Sequence, residues 1–170
     1  AVSVNNLGTI EYLDIDSNFT YPIEQHSFYE FVYIDSGEII CNISDKKINL
    51  FEHDFLLIQP NTLHNYEVKK KNKNSSIFII CFNSSSHTLS LIDNPIHFNQ
   101  EEIKIMSSIF NESKNAFVFP FNKKIKQIKN PIFGSQQIVE QNIELLLIHL
   151  IRNKLNKNKD TIKVIINDEK

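Results

Sequence analysis

The sequence predicts a mainly β domain, a small barrel, followed by C-terminal α-helices. Short runs rich in Ile, Val, Phe and Tyr recur at close spacing through residues 1–90. Turn residues separate these runs, at Asp35-Ser36-Gly37, Ser44-Asp45-Lys46 and Pro60-Asn61. Near Asn99 the apolar spacing changes from a period of two to one of about 3.6, the mark of a helix.

Strands are expected over 28–34, 38–43, 47–50, 55–59, 64–68 and 77–82. The basic run 69–73 has no aromatics interleaved with it, so it reads as a solvated hairpin tip rather than a nucleic-acid patch. Asn99 can cap a helix, with Glu102 as its capping-box partner and Phe98 and Ile103 as a hydrophobic staple. Ile103, Met106, Ile109 and Phe110 then form one apolar stripe, and this helix should end near 113–115. Residues 116–121 are aromatic and reach Pro120, which predicts an extended, packed connector. A second helix is expected over 136–156. Val139, Ile143, Leu146 and Leu150 make one stripe on it; Ile148, Ile151 and Leu155 make another. A helix that is apolar on two faces needs two covers. One face suits the barrel, and the Val139, Ile143, Leu146 and Leu150 stripe is assigned to the seam of a homodimer. The organisation is therefore a barrel over 1–95, a helical dimerisation and linker region over 96–156, and a polar tail over 157–170.

With 170 residues the chain suits one domain with a sizeable core. Its net charge of −2 gives it no basic excess for a nucleic-acid duplex. Three glycines leave no glycine-rich phosphate loop. No run approaches the ~20 apolar residues of a membrane span, and the first residues lack the pattern of a signal peptide. Cys41 and Cys81, each in a β-branched run, read as reduced core thiols of a cytoplasmic protein.

Two segments carry the chemistry. In the first, alternation places His26, Phe28, Glu30, Val32 and Ile34 on one strand face. In the second, His64 opens a later strand and can converge on that face, with Tyr66 following it. A histidine and a glutamate on an apolar face are costly to bury without partners. Two readings stand side by side. His26, Glu30 and His64 bind a first-row metal with an open position, or they satisfy one another in a polar patch.

These segments resemble the two motifs of the cupin superfamily, a double-stranded β-helix barrel. In the first motif His26, Glu30 and Gly37 fit, with six residues between Glu30 and Gly37, while Glu24 stands where the family has its first His. In the second, Asp54, Pro60 and His64 fit, while His53 and Asn61 stand where the family has Gly. Asn61 is a natural substitute because Asn tolerates the left-handed turn conformation. Within the superfamily, the run from His26 to Glu38 and the run from Leu56 to His64 resemble the N-terminal sensor domain of AraC-type transcription regulators. The run from Ile143 to Asn153 resembles the linker helix through which such regulators dimerise.

The resemblance implies a small-molecule sensor, with a sugar or small organic acid held by His26, Phe28, Glu30, Val32, His64 and Tyr66. It also implies a homodimer that meets DNA only through a C-terminal helix-turn-helix domain absent from this chain. No cofactor and no catalytic residue is assigned. The alternative is a metal-dependent cupin enzyme, a dioxygenase or isomerase, with Glu24, His26, Glu30 and His64 as ligands. Glu24 in place of the first His departs from that enzyme pattern.

Overall fold

The computed structural model describes residues 1–16, 19, 21–68, 74–92 and 95–168, with backbone alone over 159–168. In chain order the strands are β1 (Asn5–Ile15), β2 (Tyr29–Ser36), β3 (Glu38–Ile43), β4 (Lys46–Phe51), β5 (Asp54–Ile58), β6 (His64–Glu67) and β7 (Ser75–Asn83). A 3-10 turn at His87–Leu91, the short β8 (Ile96–His97), and helices α1 (Gln100–Ala116) and α2 (Ser135–Asp168) follow. The strands form a five-stranded sheet in the order β1-β7-β2-β5-β8 and a three-stranded sheet in the order β4-β3-β6. Every strand pairing in both sheets is antiparallel.

The expected barrel is thus a two-sheet sandwich that does not close. Among the described residues no ladder joins the sheets, and β1 remains an edge of the larger one. The large sheet is buried on both faces. On β2, Val32 and Ile34 face the small sheet, packed with Ile39, Cys41, Leu50 and Tyr66. The alternate residues Phe31 and Tyr33 join the core shared with the helices. This is why β2, β5 and β7 read as nearly continuous apolar runs. Both cysteines are free and buried, as expected for core thiols.

Two expected glycine-like positions show why their residues sit where they do. His53 and Asn61 adopt φ of 70° and 62°, the left-handed region that the cupin pattern fills with Gly. His53 is held there by its Nδ1 contact with the Tyr33 hydroxyl at 2.8 Å and by the bond from its N–H to the Ile34 carbonyl. Gly37, at φ 82°, turns β2 into β3 against Ser75, where an added Cβ would lie 2.3 Å from the Ser75 hydroxyl oxygen.

Helix α1 begins as the sequence predicts. Asn99 Oδ1 accepts from the Glu101 and Glu102 N–H groups, and the Asn99 N–H donates to Glu102 Oε2 at 2.8 Å. Glu102 Oε1 also accepts from Asn153 of α2 at 2.9 Å, so the cap ties the two helices together. The buried stripe of α1 contains Ile105, Met106, Ile109 and Ala116, with Ile103 and Phe110 packed at its margin. Phe117 and Phe121 anchor the connector, as its aromatic content predicted.

Helix α2 differs from expectation in two respects. Its backbone continues through the predicted tail to Asp168. Val139, Ile143, Leu146 and Leu150, assigned to the dimer seam, are at most 2% exposed within the single chain. They pack on α1 and the large sheet, and Leu147 and Ile151 widen the same face. Sequence periodicity shows that two faces are apolar but not which one the chain's own core takes. The bare apolar positions are Ile138, Leu145 and Leu155. The basic run 69–73 lies outside the described residues. No described helix is long and apolar enough to cross a membrane.

Replacing Gly37 with Ala should cost about 1–3 kcal/mol from the left-handed backbone alone, with the Ser75 clash added to it. Urea unfolding of the two proteins measures the difference.

Candidate functional site

Glu30 is the centre of the site. It lies on β2, facing the small sheet, and is 3% exposed. His26 Nε2 lies 2.9 Å from Glu30 Oε2. The Tyr66 hydroxyl, on β6 of the opposite sheet, donates a short hydrogen bond to Oε1. The Cys81 thiol, on β7, lies 3.5 Å from Oε2. His64 enters from the start of β6, with Nε2 3.5 Å from the same oxygen. At that distance His64 is drawn by charge but makes no well-formed hydrogen bond, and its Nε2 is otherwise without a partner.

Both rings are oriented by backbone carbonyls. His64 Nδ1 meets the Thr62 carbonyl at 2.9 Å, and His26 Nδ1 meets the Phe28 carbonyl at 3.0 Å. Only an N–H can satisfy a carbonyl oxygen, so Nδ1 carries hydrogen in each ring. Nε2 then faces the Glu30 carboxylate in both. Two bare lone pairs against a carboxylate repel, so the cluster requires something positive there. A proton, a metal ion or a donor from a ligand meets that need.

Electrostatics follow from this geometry. Burial alone would raise the Glu30 carboxyl, but His26, His64 and Tyr66 outweigh it and hold Glu30 down at about 2. Burial likewise works against charge on His64, yet the Glu30 carboxylate and the Thr62 carbonyl hold it above its ordinary value. Burial, then the neighbouring Glu30, pushes the Tyr66 hydroxyl well up, so it stays a donor. Cys81 is raised by burial and by Glu30 and remains a thiol.

Of the residues expected in the site, His26, Glu30, His64 and Tyr66 meet in one cluster. Phe28 stacks on the His26 ring at 3.9 Å between centroids, and Val32 forms apolar wall below Glu30. Asp54 does not join them: it binds the Phe51 N–H and His97, clamping the turn before β5. Glu24 sits at the rim, its backbone paired with His64 in both directions. Three neighbours were missed. Glu11, on β1, is 5% exposed and accepts from the Tyr21 hydroxyl at 3.3 Å. Tyr21 packs edge-on against Tyr66. Lys123, from the connector before α2, reaches Glu24 at 3.6 Å. Glu11 carries a signal in the sequence, as an acidic residue inside a strand that the run-by-run reading left unassigned; Lys123 carries none.

The donors fit a divalent metal in type and placement. Glu24, Glu30 and His64 form one group, and His26, Glu30 and Cys81 another, each with ligand atoms within 4.8 Å of one another. Histidines fixed through Nδ1 with Nε2 aimed inward are the form metal binding uses. A groove of about 680 Å³ opens beside His64, lined also by Ile23, Asn42, Leu63, Asn65 and Glu67. A groove of about 710 Å³ lies elsewhere, on the helical side, lined by Ile92, His97, Asn99, Glu102, Leu150 and Asn153.

The family model described as the AraC-like ligand binding domain matches residues 8–108. None of the curated proteins compared matches the chain. Among solved structures, an RmlC-like cupin family protein with a double-stranded β-helix fold from Methanocaldococcus jannaschii is 15% identical. It has a TM-score of 0.42, over 49% of this chain and 79% of that one. A cupin protein from Bacteroides fragilis is 20% identical, with a TM-score of 0.42 over 47% of this chain and 70% of that one. A predicted oxalate decarboxylase from Thermotoga maritima is 15% identical, with a TM-score of 0.41 over 44% of this chain and 64% of that one.

The charge cluster makes stability depend on pH in both directions. Glu30 is lowered on folding, so its contribution is present above about 4.5 and is lost as pH falls towards about 2. Its size is on the order of 3 kcal/mol, from about 1.4 kcal/mol per unit. His64 is raised, so its contribution is full below the unfolded value of 6.5 and is lost as pH rises through the folded one. Urea midpoints should therefore peak between about 4.5 and 6.5, and Glu30→Gln should flatten both limbs.

Proposed function

This chain belongs to the AraC-like ligand-binding domain family, and we propose that it works as the small-molecule-sensing and dimerisation part of a transcription regulator of that type. The observation that carries the reading is the buried Glu30 cluster. A carboxylate, two histidines and a tyrosine converge between two apolar sheets, with His64 Nε2 left for a donor. Few polar groups in an apolar surround is the composition of a small-ligand site. A ligand there shifts the domain between states only by contacting them differently.

The second half of the proposal concerns α2. Its inner face is rooted in the core, and Ile138, Leu145 and Leu155 lie bare on the other. Their spacings of seven and ten residues repeat the seam of a paired helix. A second copy of the chain is the proposed cover. DNA contact, in this reading, falls to a helix-turn-helix domain beyond these residues, in the cytoplasm.

A second reading, the metal-dependent cupin enzyme, is favoured by the two donor groups that meet at Glu30. Glu24, Glu30 and His64, with His26 and Cys81 beside them, would hold the ion. The long helix has no part in such chemistry, which is why the sensor stands first.

A thermal-shift screen with sugars, organic acids, amines and divalent metals separates the two readings. The sensor should be stabilised by an organic compound, and Glu30→Gln should remove that shift. One Fe, Mn or Zn per purified chain with no organic response would favour the enzyme. For the dimer, Leu145→Glu should yield a monomer by light scattering that still shows folded circular dichroism. Leu146→Glu, by contrast, should unfold the chain because Leu146 is fully buried.

A further inference from the structure

At the open edge of the sandwich, one lysine spans the two sheets. The Lys123 carbonyl accepts from the Ile10 N–H on β1 at 3.0 Å, and Lys124 bridges to Thr9. The Lys123 ammonium lies 3.6 Å from Glu24 Oε1, beside the small sheet, and 5.1 Å from the centre of the Tyr21 ring. The buried Glu11 carboxylate feels the same charge and receives the Tyr21 hydroxyl. A carboxylate pair with an aromatic face is a box for an ammonium group. Lys123 takes φ 50°, in the left-handed region that few lysines occupy. Such conformations gather at ligand clamps.

A second observation points the same way. His64, whose side chain is 0% exposed, aims an unpartnered Nε2 towards Glu24 and Glu30. In the neutral ring Nδ1–H is taken by the Thr62 carbonyl, and Nε2 offers a bare lone pair that a ligand donor can meet.

We propose that the Lys123 ammonium occupies in cis the recognition site for a small primary amine carrying a second donor group, an amino alcohol or a diamine. The ligand's ammonium takes the place of Lys123 between Glu24 and Tyr21, and its second donor meets His64 Nε2. The connector that carries Lys123 runs on into α2, so displacement loosens the strap between the ligand site and the long helix. This rests on the sensor reading and narrows its ligand class: Glu24 at the rim, with the buried Glu11 and Glu30 behind it, repels an organic acid.

A tethered competitor raises the concentration an outside amine needs. Lys123→Met keeps the apolar stem and removes the charge. By calorimetry it should bind 4-amino-1-butanol hydrochloride on the order of tenfold more tightly than the unaltered chain. Glu24→Gln in the same background should abolish the gain. Neither 1,4-butanediol nor butyrate should bind in the amine's place. Equal affinity with and without Lys123, a gain that survives Glu24→Gln, or equal binding of butanediol would overturn the proposal. Butanediol or a sugar binding without regard to Lys123 would do so while leaving the sensor reading intact. Should Lys123→Met fail to fold, the unaltered chain still decides. Saturating amine should speed hydrogen exchange at the Ile10 amide, which the Lys123 carbonyl protects, and an unchanged rate would refute displacement.

Discussion

A buried carboxylate needs compensation, and in this chain the compensation organises the space between the sheets. Glu30 draws one hydrogen bond from the opposite sheet through Tyr66 and one contact from its own strand's lead-in through His26. His64 approaches from the start of β6, and its backbone is paired with Glu24. Remove the charge and Tyr66, His26 and His64 lose their common target. The apolar residues beneath, Val32, Ile34, Ile39 and Leu50, would still pack. The position of the sheets over the polar end is what depends on Glu30.

This arrangement carries a tension that bears on function. Interior polar networks are stable when every member is satisfied, and here one member is not. His64 Nε2 is buried without a good partner, while the rim is acidic and closed by a lysine from outside the sheets. The site thus lacks a partner at His64 Nε2, where the cluster calls for a positive group or a donor. In the proposed reading, a bound ligand supplies that partner.

Much of this was legible in the residues, for reasons that differ between elements. Asn99, Phe98 and Glu102 announced the start of α1 because capping uses few residues at fixed offsets. Glu30 and Val32 share a face because strand alternation fixes it, whereas His26 and Phe28, expected on the same strand face, precede β2 and reach the cluster from its lead-in. Asn61 betrayed its left-handed turn through its chemistry. What sequence could not supply was long-range packing. The stripe Val139, Ile143, Leu146 and Leu150 marks a buried face, but nothing local states whether the cover is the same chain or another. β1 escaped a run-by-run reading because Asn, Gly and Thr interrupt its apolar residues. Lys123 escaped because its role depends on a connector crossing from the helical layer to the sheet edge, which no local pattern encodes.

The length of α2 has a mechanical meaning. Its 34 residues reach roughly 50 Å at about 1.5 Å per residue. Ile151, half-way along, is the last buried position among the described side chains. Past that root, roughly 25 Å of helix adds no further buried position among the described side chains, although Asn153 still bonds Glu102 of α1. A tilt of about 5° at that root would carry the tip by roughly 2 Å. Motions too small to disturb the packing around Leu146 thus arrive at the far end as displacements the size of a bond. A domain attached there would feel a stirring at the sheet edge as a change of position.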